Sequence, residues 1–168
     1  LVHALRRIVE PPQKGRRWVF IRSDGDRYHF NSDAPYRLDV EEFRKYVQLG
    51  ERLERAGHVS SAIDAYEAAV GLYRGDLLEE EPYAEWCWGE REHLKEVCLS
   101  VLGRLATFYL VQDAAEESIV AYRQALRIDH LREENHRGLM RALLVAGRRD
   151  EALREYHVCR DNLRRELE

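Results

Sequence analysis

The chain reads as mainly α: a superhelix of three helical hairpins with one extended helix, preceded by a short helix and a β-hairpin. Two observations predict the superhelix. One signature recurs three times, as Gly57, Ala62, Tyr66, Ala69, then Asp113, Ser118, Tyr122, Ala125, then Gly147, Ala152, Tyr156, Cys159. Tyr122 and Tyr156 stand 34 residues apart, whereas Tyr66 and Tyr122 stand 56 apart, one such period plus an insert of 22. A third observation concerns the front of the chain, where two β-prone runs, residues 18–21 and 28–30, flank Asp24-Gly25, a dipeptide suited to a tight turn with positive φ.

Taken in order, residues 2–9 carry Ala4, Leu5 and Ile8 on one helical face, and Pro11-Pro12 end that helix by removing a donor and restricting the preceding residue. The hairpin follows. From Asp39 the apolar period becomes helical, with Asp39 and Glu42 spaced as in a capping box. The first long helix carries Phe43, Tyr46, Val47, Leu49, Gly50 and Leu53 and ends at Gly57; the second carries Ala62, Ile63, Tyr66, Ala69 and Val70. The insert spans roughly residues 73–94, and Pro82 suits the first turn of a helix that continues through Leu94, Val97 and Leu105 to about Leu110.

A period near 34 is that of tetratricopeptide-like repeats, in which small residues let two helices approach and an aromatic fills the space between them. The same register places Tyr46, Leu49, Gly50 and Leu53 in copy one where the repeat needs a large residue, Leu, a small residue and another large one. Copy two supplies Leu102, Leu105, Ala106 and Tyr109, and copy three His136, Leu139, Met140 and Leu143, where Met140 breaks the small-residue rule. Spacing alone therefore assigns Tyr66, Tyr122 and Tyr156 to packing.

The chain has 168 residues, 45% hydrophobic and 35% charged, as expected of a soluble globular protein rich in amphipathic helix. It has no apolar run of the roughly 20 residues a membrane span needs and no signal-peptide pattern, so a cytoplasmic location without membrane contact is expected. It opens on Leu1, and its one methionine is Met140, so it reads as a segment of a longer protein. Cys87, Cys98 and Cys159 form no CxxC pair and read as small apolar residues in a reducing compartment. Net charge is −4 but unevenly spread: residues 1–38 hold eight basic and four acidic residues, and residues 39–168 hold 19 and 27. That division suggests two jobs, with a polyanion a partner for the first.

No catalytic motif is present: no GxSxG, P-loop, HExxH or GxGxxG. Histidines and cysteines miss metal-ligand spacing, since His93 and Cys98 are five apart, His130 and His136 six, and His157 and Cys159 two. No catalytic residue, metal site or cofactor is expected. Trp86 and Trp88, two positions apart, cannot share one helical face.

Tyr73-Arg74-Gly75-Asp76-Leu77-Leu78, then Trp86, Glu90-Arg91 and Leu94, resemble the bacterial transcriptional activator domain, found in regulators of the Streptomyces antibiotic regulatory protein type. The run from Arg132 to Arg141, with Gly147, Glu151-Ala152-Leu153, Tyr156, Cys159-Arg160 and Leu163, is similar to the end of the same domain. Ala4-Leu5-Arg6-Arg7, the Gly25 to Tyr28 hairpin and Leu38-Asp39-Val40 to Phe43 resemble the end of an OmpR-type winged helix and its junction. The resemblance implies residues 1–36 as the incomplete C-terminal part of a DNA-binding winged helix and residues 37–168 as the helical activator domain. It implies that the intact protein contacts DNA through Arg6 and Arg7, near the end of the recognition helix, and Arg22 and Arg27, flanking the hairpin tip. Asp24 and Asp26 would oppose phosphate there. It makes Trp86 structural and leaves Trp88 as an exposed anchor for a partner. It also implies a homodimer that contacts RNA polymerase or other transcription proteins. Two rival readings are a scaffold gripping peptide tails and a small-molecule sensor with its ligand between the long helix near Trp88 and the groove.

Overall fold

The structure, a computed structural model, describes residues 2–10, 18–81 and 83–167. Pro11, Pro12, Lys14, Arg16, Arg17 and Pro82, which figure in the sequence reading, lie outside the described residues. The chain divides into two compact units, Leu1–Leu38 and Asp39–Glu168.

The first unit holds α1 (Val2–Val9), β1 (Ile21–Asp24) and β2 (Arg27–Phe30). The strands pair antiparallel, Ile21 with Phe30 and Asp24 with Arg27. Gly25 opens the two-residue turn at φ +58°, a left-handed conformation that only glycine adopts without a Cβ penalty. Phe20, Phe30 and Tyr36 form a small aromatic chain with ring centroids 6.3 and 5.0 Å apart. Buried Asn31 ties its base, donating Nδ2 to the Val19 carbonyl at 2.9 Å.

The second unit is three helical hairpins: α2 (Asp39–Arg55) with α3 (Val59–Leu72), α4 (Trp88–Val111) with α5 (Ala115–Ile128), and α6 (Glu133–Val145) with α7 (Arg149–Leu167). Each helix packs on the next, and α4 also meets α6, as stacking of hairpins requires. The three hairpin turns are built alike. The amide of His58 donates to Leu53 O, Ala114 to Tyr109 O and Arg148 to Leu143 O, at 2.9, 2.8 and 2.8 Å. In each, the preceding residue takes positive φ: Gly57, Asp113 and Gly147. This is the Schellman closure of a helix, and Asp113 fills the left-handed place with a short polar side chain where the other turns use glycine.

The signature residues lie where the period places them in the first two hairpins. Ala62, Tyr66, Ala69, Ser118, Tyr122 and Ala125 are all buried, and Tyr66 faces Gly50 so closely that a Cβ there would stand 2.5 Å from its ring. Three expectations need correction. Tyr156, assigned to packing, is 52% exposed. The register position of Gly50 and Ala106 holds Met140 instead of a small residue, and α7 packs mainly on α6, with an ion pair from Glu151 to Arg123 of α5. Tyr46 and Leu49 keep a solvent face, because within this unit α2 packs on α3, whereas α4 is enclosed by three helices and buries Leu102 and Leu105. Finally, the helix expected to start near Pro82 starts at Trp88, after a 3-10 turn over Glu85–Cys87.

Candidate functional site

In the first unit the four candidate arginines separate into one inward and three outward residues. Arg6 donates from Nε and Nη2 to the Ile21 carbonyl at 3.0 and 2.8 Å and from Nη2 to Ser23 Oγ at 2.7 Å. Its guanidinium carbon lies 5.6 Å from the Trp18 ring and 5.3 Å from the Tyr28 ring, within cation–π range. Arg6 thus clips α1 to the hairpin. Arg7, Arg22 and Arg27 are exposed. Side chains alternate across a strand, so Ile21, Ser23, Tyr28 and Phe30 share the face that Arg6 meets, and Arg22, Asp24, Arg27 and His29 share the other. Asp24 stands opposite Arg27, which tempers the positive charge at the tip. Glu10 completes the clip, accepting the Val19 and Phe20 amides at 2.7 and 2.8 Å. Desolvation works to raise its carboxyl, but those amides outweigh it and hold the group below its usual range.

Along the second unit runs an open groove of about 440 Å³ lined from α2, α4, α5 and α6, by Glu54, Gly103, Arg104, Thr107, Tyr122 and Asn135 among others. Glu54 Oε2 accepts the Tyr66 hydroxyl at 2.7 Å and Arg104 Nη1 at 2.6 Å. Burial pushes the Tyr66 hydroxyl up to about 12, and its carboxylate acceptor pushes the same way. For Glu54, desolvation opposes ionisation, but the Tyr66 and Arg104 donors prevail and hold the carboxyl below 4.5. Arg132 is likewise neutralised, reaching both oxygens of Glu96 at 2.5 and 2.7 Å. Two residues of this groove leave space or a donor unused. Gly103 sits mid-helix with nothing within 4 Å of where a Cβ would be, and Asn135, 5% exposed, has a buried Nδ2 without a hydrogen-bond partner. At one end, His136 bridges α6 to α7, with Nδ1 2.5 Å from Glu155 Oε1 and Nε2 2.8 Å from the His130 carbonyl.

The insert between α3 and α4 is a tied loop with a cavity of about 350 Å³ beneath it, lined by Phe43, Tyr73, Asp76, Leu77 and Leu94. Arg91 ties it, donating Nε to the Leu77 carbonyl at 2.8 Å and Nη2 to those of Leu78 and Glu81 at 3.1 and 3.3 Å. Tyr73 closes on Asp76 at 2.8 Å, and Leu78 is held at φ +53°. Trp88, the expected anchor, is 51% exposed. Trp86, which the resemblance made structural, is 81% exposed; the side chain buried in that turn is Cys87. The 3-10 turn explains the difference, because Trp86 precedes the regular helix and never meets its packing face. Sequence reasoning also passed over Tyr83, which extends into solvent next to it; a turn rich in glutamate flanking an isolated aromatic was the available signal.

The described residues hold no group of three or more His, Cys, Asp or Glu side chains placed to bind a metal ion. All three cysteines are buried free thiols, and burial pushes Cys98 up to about 12, away from nucleophilic or ligand chemistry. No helix is long and apolar enough to cross a membrane among the described residues. The surface features are three outward arginines on the first unit, and a groove and a tied aromatic loop on the second.

No curated protein matches the chain. The family model described as the bacterial transcriptional activator domain matches residues 38–168, which cover the whole helical unit with its insert. The chain belongs to the bacterial transcriptional activator domain family.

Proposed function

We propose that residues 37–168 form the effector and oligomerisation module of a bacterial DNA-binding transcriptional activator. The family match over the helical unit carries this reading, and that family is a regulatory one. The groove supports it: an open channel in which Arg104 is paired with Glu54 and Arg132 with Glu96 suits a protein segment better than a charged metabolite. In this proposal residues 1–36 are the end of a winged helix that reaches DNA in the intact protein. Arg7, Arg22 and Arg27 meet phosphate there, and Arg6 orients the hairpin that carries two of them. Trp88 serves as an anchor for RNA polymerase or another transcription protein, and the module pairs two copies in the cytoplasm.

The test is promoter binding and transcription by the full-length protein with and without residues 37–168. Loss of activation, with weakened cooperative DNA binding, is expected on deletion. An unchanged DNA affinity together with unchanged transcription would sink the effector role. The peptide-scaffold alternative makes a different claim, a peptide bound in the groove and activity that survives replacement of Arg6 or Arg7.

A further inference from the structure

Tyr83 and Trp86 are the two most exposed large apolar side chains among the described residues, at 91% and 81%. Hydration of such surface is costly, and a slack loop would fold it away. This loop is not slack. Arg91 spends its guanidinium on three loop carbonyls, and the Cys87 thiol, itself buried, donates to the Ala84 carbonyl at 3.1 Å. Leu77, Leu78, Glu81 and Ala84 are thus tied on either side while the rings of Tyr83 and Trp86 face water, which is the preorganised state of a binding hot spot.

Charge says what covers them. From Gly75 to Glu90 the sequence contains no lysine or arginine and six acids. Glu79, Glu80, Glu81 and Glu85 flank the rings and are exposed, and none is in an ion pair with a described residue. Of the two arginines flanking this window, Arg91 is turned inward on the carbonyls, and Arg74 is exposed at its far edge, nine residues before Tyr83. Such a field repels phosphate, and so excludes nucleic acid and anionic lipid. Two projecting rings also enclose too little volume to bury a small molecule. Cations, by contrast, gain twice, over the electron-rich ring faces and against the carboxylates.

We propose that the insert is a docking surface for a protein partner that presents arginine or lysine beside an apolar side chain, with Trp86 and Tyr83 as anchors and Glu79, Glu80, Glu81 and Glu85 as the selecting charges. This rests on the helical unit being a protein-contacting module, and it names the partner's chemistry.

The probe is a synthetic 14-residue amphipathic peptide of leucine and arginine, with a leucine–glutamate peptide as its counterpart, titrated into the full 168-residue chain by fluorescence anisotropy. The arginine peptide is expected to bind, with affinity falling steeply with salt, and the glutamate peptide not to bind. Trp86→Ala weakens binding by about tenfold or more. Replacing the four glutamates by glutamine weakens it comparably and flattens the salt dependence. Asp64→Asn with Glu117→Gln, two exposed acids on α3 and α5, leaves it within about twofold, all variants being checked for an unchanged melting temperature. Binding that ignores Trp86→Ala, or that falls equally with the Asp64 and Glu117 pair, is general charge attraction and overturns the proposal. If that happens while deletion of residues 37–168 still abolishes transcription, the docking surface is wrong and the effector reading stands.

Discussion

A single kind of substitution, glycine to alanine in a helix interior, should change sign between two sites in this protein. By propensity alone alanine is favoured by about 1 kcal/mol at either. At Gly103 nothing lies within 4 Å of the new Cβ, so Gly103→Ala should gain about 0.5–1 kcal/mol. At Gly50 the new atom would stand 2.5 Å from Cε1 and 2.6 Å from Cδ1 of Tyr66. Carbon atoms in contact prefer roughly 3.5–4.0 Å, so the ring must retreat by about 1 Å. Overpacking of that order costs about 1–3 kcal/mol. The retreat also strains the 2.7 Å bond from the Tyr66 hydroxyl to Glu54, worth about 1 kcal/mol more. Set against the propensity gain, Gly50→Ala should lose about 1–3 kcal/mol. In a chain of this size that lowers the melting temperature by several degrees, at about 2–4 °C per kcal/mol, while Gly103→Ala raises it by a few. Urea unfolding followed by circular dichroism measures both, with slopes unchanged. If Gly50→Ala proves neutral or stabilising, Gly50 is not the socket of Tyr66 and the reasoning fails.

Three further outcomes follow from single residues. Ser118 stands where the other repeats have Ala62 and Ala152, and its buried hydroxyl lacks a partner, so Ser118→Ala should stabilise by about 1 kcal/mol in the same urea assay. The Cys98 thiol, pushed by burial up to about 12, should resist an aromatic disulfide reagent at pH 8 in the native protein and react at once in denaturant, as absorbance will report. Because the Glu54 carboxyl is held below its ordinary 4.5 in the folded state, its contribution is present above that value and is lost as pH falls through the folded one. The difference in melting temperature between the parent and Glu54→Gln should therefore narrow between pH 6 and pH 3.

The helical architecture was legible because stacking of hairpins demands one residue size at one spacing. Gly50 and Tyr66 interlock with Ala62 buried beside them, and Ala106, Ser118 and Tyr122 are buried at the same spacing, with Gly138 close against the Tyr122 ring, so the pattern repeats along the chain and can be read. The turns were legible for a similar reason, since a left-handed residue must follow each first helix, and glycine or aspartate marks it. Tyr156 shows where that logic stops. Its spacing matches Tyr66 and Tyr122, but spacing records only which residue would enter a socket, and Met140 holds the register position that Gly50 and Ala106 hold in the other copies. A period reports a residue's position in a repeat, and burial depends on what the neighbouring helix offers there.

The candidate surfaces were harder to read, and for a physical reason. Arg6, Arg7, Arg22 and Arg27 are indistinguishable as a charge count, yet Arg6 spends its guanidinium on Ile21 and Ser23 while the other three face solvent. A guanidinium that organises a fold and one that meets a ligand use the same donors, so only the location of the acceptors separates them. Arg91 repeats the lesson in the insert, where a cation among glutamates would be read as their partner. It ignores their carboxylates and grips main-chain carbonyls instead. Glu79, Glu80, Glu81 and Glu85 are left without an ion pair among the described residues. The insert's acidity, a bland solvated run in the sequence, becomes a selective feature once Arg91, the cation at the root of the loop, is committed to main-chain carbonyls.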